Sequence, residues 1–352
     1  MAPFKTILAA SDLSASADNA AHRAALLARR HGAELHVVHV VNPGGLGRVR
    51  DWLAQPIDVK ARVDAARERL ERLAIELSHR HGVKARAVVH VGDTIEQLHG
   101  LLATADLLVM GQRRRSTLSE WVLGRTAQRL IEKSRRPVLV VKRAADAGYR
   151  KVLVPVDLTP GSNSAAVAAA AFAPDAALQI FHAFGSSGEV SMPVANVREH
   201  VVREGLARAE AGVLARMRRG IARLGLDPRG MVFSIGRGSP IGATLDKAKA
   251  LRADLIVASK QRRSRNATAI LGSVNGLLAR SRCDMLIVPG GLPDACHAGT
   301  VMPPPARTAA DGGWQAAHRP ARTGPSRPES WHAPSPGAAS SAGRDAMRLA
   351  AR

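Results

Sequence analysis

Ala105-Asp106-Leu107-Leu108-Val109-Met110-Gly111-Gln112-Arg113-Arg114-Arg115-Ser116 opens the stretch that decides the fold. It continues through Leu123-Gly124-Arg125 to Arg136-Pro137-Val138-Leu139-Val140-Val141. Short apolar runs bounded by turn residues fit strands covered on both faces, so the stretch reads as strand, polar loop, glycine turn, helix and strand. The pattern returns as Ala253-Asp254-Leu255-Ile256-Val257, Gln261-Arg262-Arg263-Ser264, Leu271-Gly272-Ser273 and Cys283-Asp284-Met285-Leu286-Ile287-Val288. Asp106 maps onto Asp254 and Gly124 onto Gly272 at one shared offset of 148. A long unit that occurs twice makes a tandem protein.

The rest of each unit lies on its N-terminal side. Thr6-Ile7-Leu8-Ala9-Ala10 is a first strand and Asp12-Leu13-Ser14 its turn. Ser14 or Ser16 caps the next helix, because a short side-chain oxygen accepts from free amides of the first turn, and Gly32 ends it. A strand over 35–41, an amphipathic helix over 57–80 and a strand over 85–91 follow, then a helix capped by Asp93 with Glu96 three residues on. The second copy begins at Lys151, with helices over 162–172 and 198–224, strands over 178–184 and 231–235, and a helix start at Ser239-Pro240. Strands alternating with helices at this spacing predict parallel βαβ units with right-handed crossovers, an α/β fold. The expected domains are 1–145 and 149–290. Residues 292–352 lack periodicity, have few large apolar side chains and are expected to form a disordered tail.

Composition narrows the function classes. The 352 residues are 46% hydrophobic, enough for two cores, but only 3% aromatic, so Leu, Val, Ile and Ala must fill them. The formal charge of +22 favours solubility and attraction to polyanions and says nothing of fold. Two cysteines, Cys283 and Cys296, are too few for a disulfide framework or a cysteine zinc site. Met1-Ala2-Pro3-Phe4-Lys5 runs into a strand without a signal-peptide hydrophobic region, and no apolar run would span a bilayer. A soluble, cytoplasmic protein is expected. Gly236-Arg237-Gly238-Ser239-Pro240-Ile241-Gly242 follows a third strand and has its last glycine one residue late, so it is not a dinucleotide fingerprint. His79 and His81, two apart at a helix end, are poorly spaced for a shared metal and read as solvated. His36, His39 and His90 read as core or rim packing.

A strand ending in an Asp turn, and a later strand opening onto a glycine loop before a helix, resembles the universal stress protein (UspA) family over about Phe4 to Pro289. In the family's ATP-binding members the motif Gly-x2-Gly-x9-Gly-[Ser/Thr] wraps the phosphates. The physics is general: a glycine-lined loop lets the backbone approach a phosphate, and the first amides of the next helix receive the anion. In the first copy Gly111 and Gly124 hold the first and third glycine places, Arg114 replaces the second, and Arg125 takes the Ser/Thr place with Thr126 one residue late. In the second copy Ser259 and Arg262 replace the first two glycines, while Gly272-Ser273 keeps the end. The family's adenine-side Asp is present as Asp12 and Asp157. The resemblance thus implies partial nucleotide sites, drawn from those residues together with Val40 and Met110, with ATP and its Mg as the ligand.

The resemblance also implies an open sheet of order 3-2-1-4-5 in each domain. Ligands in such Rossmann-like folds bind beyond the carboxyl ends of the strands where strand order reverses. That places one crevice between the Asp12 turn and the Gly111 loop, and another between the Asp157 turn and the Ser259 loop. Family domains pair through strand five, so residues 138–141 are expected against 286–288 within this chain, with a further homodimer optional. Two readings of the loop arginines stay open: charge for a phosphate-bearing ligand, or solvated side chains filling phosphate space. No general base is identifiable, so the reading is a non-enzymatic stress-response protein with degenerate ATP sites. Ser116, Ser264 and Ser273 are the acceptors a slow self-phosphorylation would use. The alternative is a basic adaptor that binds nucleic acid or another polyanion through the Arg loops and the tail, its nucleotide sites vestigial.

Overall fold

The computed structural model describes residues 4–43, 58–114, 121–122, 124–184, 199–260 and 267–290. The expected tail over 292–352, with Cys296, lies outside them.

The first repeat runs β1 (Thr6–Ala10), α1 (Ala15–His31), β2 (Glu34–Val41), α2 (Val59–His81), β3 (Ala85–Val91), α3 (Thr94–Leu101) and β4 (Leu107–Gly111). It continues with β5 (Arg113–Arg114), β6 (Trp121–Val122), α4 (Arg125–Lys133) and β7 (Val138–Val141). The second runs β8 (Lys151–Pro155), α5 (Pro160–Phe172), β9 (Ala177–Phe184), α6 (Glu199–Ala222), β10 (Met231–Arg237), α7 (Pro240–Leu251), β11 (Leu255–Lys260), α8 (Ala267–Arg280) and β12 (Asp284–Pro289).

Local chemistry sets these bounds. Ser14 caps α1, and Gly32 and Gly82 end α1 and α2 in the left-handed conformation at φ 64° and 65°. Asp93 accepts from the amides of Ile95 and Glu96 at the start of α3, and Ser239 accepts from Gly242 at the start of α7. One expectation changes. The loop after β4 is not wholly irregular: β5 and β6 pair antiparallel, Arg113 with Val122 and Arg114 with Trp121.

All the remaining strands form one ten-stranded sheet, in the order β10-β9-β8-β11-β12-β7-β4-β1-β2-β3. Each half has strand order 3-2-1-4-5 and is parallel throughout. The halves join where β12 pairs antiparallel with β7, Met285 against Val140 and Ile287 against Val138. The short linker 142–150 explains the sense: it lets the second half begin at the sheet end where the first finishes.

Side chains alternate between two layers, as the pleat requires. Ile7, Ala9, Leu107 and Val109 face a core built with α1, α2, α5 and α6. Leu8, Leu108 and Met110 face a second core that includes Leu98, Leu130, Ala248 and Leu277, from α3, α4, α7 and α8. Asp106 and Asp254 tie strands together identically in the two repeats. Asp106 accepts from the amides of Lys5 (2.7 Å) and Thr6 (3.1 Å), and Asp254 from those of Arg150 (2.9 Å) and Lys151 (3.0 Å).

The seam between the repeats is dense and polar at its centre. Asp284, fully buried, accepts from the amides of Lys142 (2.8 Å) and Arg143 (3.0 Å) and from the Tyr149 hydroxyl (2.7 Å). Arg23 stands 3.4 Å from the same carboxylate and stacks over the Tyr149 ring. Burial, with Asp284 alongside, pushes the Tyr149 hydroxyl well above its ordinary pKa. Phe172 makes ring contacts with Phe4, His31 and Tyr149. Burial holds the His31 pKa below its usual value.

Two lysines cross the seam in opposite directions. The Lys142 ammonium donates to the carbonyls of Leu278 (2.5 Å) and Ser281 (3.1 Å) and to the Ser281 hydroxyl (2.8 Å), at the end of α8. Lys260 donates to the carbonyls of Ile131, Glu132 (3.0 Å) and Ser134 (2.6 Å), at the end of α4. Each repeat thus caps the carbonyl end of the other's fourth helix, where the macrodipole favours a cation.

Candidate functional site

A cleft of about 830 Å³ opens at the carboxyl ends of β1 and β4, where strand order reverses in the first repeat. Its lining includes Asp12, His39, Val40, Met110, Gly111, Gly124 and Thr126, so six of the sequence-predicted residues come together there.

The Asp12 wall is an Asx turn. Its carboxylate accepts from the Ser14 amide (3.1 Å) and hydroxyl. Leu13 takes φ 62°, a left-handed conformation rare for leucine, and packs against the core on the α1 side. The turn therefore sends the leucine inward and leaves the aspartate on the crevice. The second repeat repeats this: Leu158 has φ 65°, and Asp157 accepts from the Thr159 amide (3.0 Å) and hydroxyl (2.5 Å). His39 braces the same turn, its Nδ1 lying 2.8 Å from the Ser11 carbonyl; His182 does so for Val156 at 2.7 Å. A carbonyl only accepts, so both Nδ1 atoms hold the proton. The sequence reading of His39 as packing missed this role. The recurrence of a histidine at matching places in the two second strands was the available signal.

The opposite wall is made by Gly111 and the start of α4. A Cβ on Gly111 would stand 2.2 Å from the Ser16 carbonyl oxygen, so glycine lets the end of β4 touch the first turn of α1. Gly124 is the N-cap of α4 and supplies no side-chain cap, and a Cβ there would meet nothing within 4 Å. The first amides of α4 therefore lack a side-chain cap, the condition under which a helix start receives an anion. Thr126 lines the cleft; Arg125, exposed beside it, is not among the lining residues. Arg114 lies on β5, and its side chain is outside the described set. Thr94 and Leu98 of α3 also line the cleft, contributed by a helix in which the sequence reading placed no site residue.

The second repeat is built differently at the matching places. Ser259 stands where Gly111 does, with its hydroxyl buried and without a hydrogen-bond partner among the described residues. Gly272 and Ser273, expected at a helix start like Gly124, lie inside α8, which begins at Ala267. Arg262 lies outside the described residues.

The remaining histidine expectation also changes. His81 is buried rather than solvated: the last turn of α2 faces α1, and its Nε2 lies 3.1 Å from His22 Nδ1. Burial and the His22 ring lower its pKa. Cys283 is a free, buried thiol, as expected of a core residue. Among the described residues no helix is long and apolar enough to cross a membrane.

Two doubly wound halves on one sheet, with a crevice at a strand-order reversal, define a tandem Rossmann-like α/β protein. The model of the universal stress protein family matches residues 3–142 and again 148–289, and the chain belongs to that family. A Thermus aquaticus relative, described as a universal stress protein in the QAH/OAS sulfhydrylase 3′ region, is 34% identical over 142 residues, 40% of this chain and 99% of its own length. A Mycolicibacterium smegmatis universal stress protein is 30% identical over 171 residues, 45% of this chain and 56% of its own. Among solved structures, a universal stress protein from Archaeoglobus fulgidus superposes with a TM-score of 0.59, covering 81% of this chain and 98% of that one. Its identity of 18% supports the shared fold alone.

Proposed function

We propose that this stress-response protein binds a nucleotide, ATP in the first instance, in the crevice of its first repeat, and acts by binding rather than by catalysis. The observation that carries the reading is the α4 start: a glycine N-cap with no side-chain cap, opening onto a cleft of about 830 Å³. That volume lies in the range of small-molecule sites, ~300–1,000 Å³. Asp12 and Val40 would face the base and sugar side. Gly111, Gly124 and Thr126 would face the phosphates, with Arg114 and Arg125 supplying charge from the rim. Among the described residues there is no group of three or more His, Cys, Asp or Glu side chains placed to hold a metal ion, so magnesium would arrive on the phosphates. Ser259 and the mid-helix placing of Gly272 support the first repeat, not the second, as the working site.

We take residues 1–145 and 149–290 as the two domains, 292–352 as a disordered tail, and the cytoplasm as the compartment. The net charge of +22 favours a second reading, a basic adaptor gripping nucleic acid or another polyanion through the Arg loops and tail. Further homodimerisation fits either reading.

The test is titration of ATP and AMP, with magnesium, into the full chain and into Asp12→Ala and Asp157→Ala. Saturable binding that Asp12→Ala weakens and Asp157→Ala leaves unchanged is the expected result. Loss in Asp157→Ala alone would move the site to the second repeat. No binding in the unmodified chain, with RNA retained at low salt, would replace the nucleotide-binding reading by the adaptor.

A further inference from the structure

A second cleft, of about 650 Å³, lies where the strands of the second repeat begin. Because β7 and β12 run antiparallel, it opens at the same end of the sheet as the nucleotide crevice but several strands away. Four segments meet there: the linker after β7, the start of β8, the end of α7, and the turn from α8 into β12. Seven arginine and lysine side chains line it against two aspartates.

Five of these seven charges are not used internally. Asp254 is already engaged by Arg143 (3.0 Å) and by the amides of Arg150 and Lys151. Arg150, Lys249, Arg252, Arg280 and Arg282 make no ion pair and no side-chain hydrogen bond among the described residues, and all are exposed. Basic residues at helix ends commonly serve the carbonyls there. Here only Lys151 does so, its ammonium donating to the Leu251 carbonyl (3.3 Å), and the rest of that work is done by other groups. Lys142 reaches across the seam to the end of α8, and the amides of Arg252 and Ala253 close the end of α7. Arg252 itself is left-handed, at φ 53°, a position that favours glycine. An arginine at a glycine position, with no ion pair and no side-chain hydrogen bond among the described residues, points to a use outside the fold. Leu245, Ala248 and Ala253 give the cleft a small aliphatic floor, and no aromatic ring lies among its described lining residues. Charge is therefore what the cleft offers, without a platform on which bases could stack.

We propose that this cleft binds a linear chain of phosphates, with inorganic polyphosphate as its ligand class. Arg252 and Arg282 grip successive phosphates from two sides, and Arg150, Lys249 and Arg280 complete the rim. Guanidinium groups suit this, because each offers paired donors to a phosphate.

The test is calorimetric titration of tripolyphosphate into the full chain at low and moderate salt. One saturable site is expected, weakening as salt rises. Arg252→Gly/Arg282→Ala should weaken it by about tenfold or more, with an unchanged melting temperature, since glycine suits the left-handed position. Should that variant melt lower, Lys249→Ala/Arg280→Ala gives the same readout from exposed positions. Arg62→Ala/Arg67→Ala, on the distant α2, and Thr126→Ala, on the phosphate side of the nucleotide crevice, should leave the affinity unchanged. Equal weakening by the α2 pair would mean diffuse charge and overturn the site. Loss in Thr126→Ala would assign the binding to the crevice instead. Binding of an oligouridylate where tripolyphosphate fails would replace the phosphate chain by RNA.

Discussion

Gly111 and Ser259 hold the same place in the two repeats, and their surroundings decide what each tolerates. At Gly111 an added methyl meets the Ser16 carbonyl oxygen at 2.2 Å, a backbone atom that cannot rotate away. Gly111→Ala is expected to push the first turn of α1 outward, cost ~1–3 kcal/mol in denaturant unfolding, and weaken nucleotide binding, because Ser16 and Ala17 line the crevice. Ser259 carries a buried hydroxyl without a partner among the described residues. Ser259→Ala should therefore be neutral or slightly stabilising, since it removes an unsatisfied group. A destabilisation as large as that of Gly111→Ala would show that the hydroxyl has a partner after all. The requirement at Gly111 was visible in the sequence as a glycine at the end of a strand. Its reason, contact with a helix start almost a hundred residues earlier, was not.

At the scale of elements, the strands and caps were legible because their causes are local. Apolar runs gave the strands, Asp93 and Ser239 gave helix starts, and Gly32 and Gly82 gave helix ends. The β5–β6 ribbon and the early start of α8 were not legible, because pairing and packing decide them. Glycine costs only ~1 kcal/mol inside a helix, so Gly272 can be absorbed into α8 when the rest of the helix packs. The reciprocal lysine caps were also hidden, since they join the end of one repeat's strand to the other repeat's helix. Burial lowers the Lys142 pKa from 10.5 to about 8, partly opposed by Cys283 and Asp284. The unfolded chain keeps this proton to ~10.4. Between those values the unfolded state binds more protons, so stability rises with pH, by up to ~1.4 kcal/mol per unit. Burial also pushes the Cys283 thiol up to about 12, so above its ordinary range near 9 the unfolded chain loses that proton first and stability falls. Urea midpoints should thus climb from about pH 8 to about pH 9 and then level or drop. In Lys142→Met the climb should vanish; a climb that persists would remove Lys142 as its source.

At the scale of the whole molecule, one sheet makes the two repeats a single cooperative body. Asp284 lies at its centre, tied to the linker amides and to Tyr149, with Arg23 beside it. Removing that carboxylate leaves a buried guanidinium without its counter-charge. Asp284→Ala is expected to cost ~3–5 kcal/mol, read from chemical denaturation, and to split one unfolding transition into two as the halves lose their common seam. A loss under ~1 kcal/mol, within the range of surface ion pairs, would mean the seam is held by the β7–β12 pairing, the lysine caps and the aromatic contacts without need of Asp284. Joining the halves through one peptide chain has a genetic consequence as well. In a dimer of identical subunits, one codon change alters both crevices at once. Here it alters one, so selection can act on the two crevices separately, and the repeats do differ there: Ser259 stands where the first repeat has Gly111, and Gly272 lies inside α8 where Gly124 starts α4.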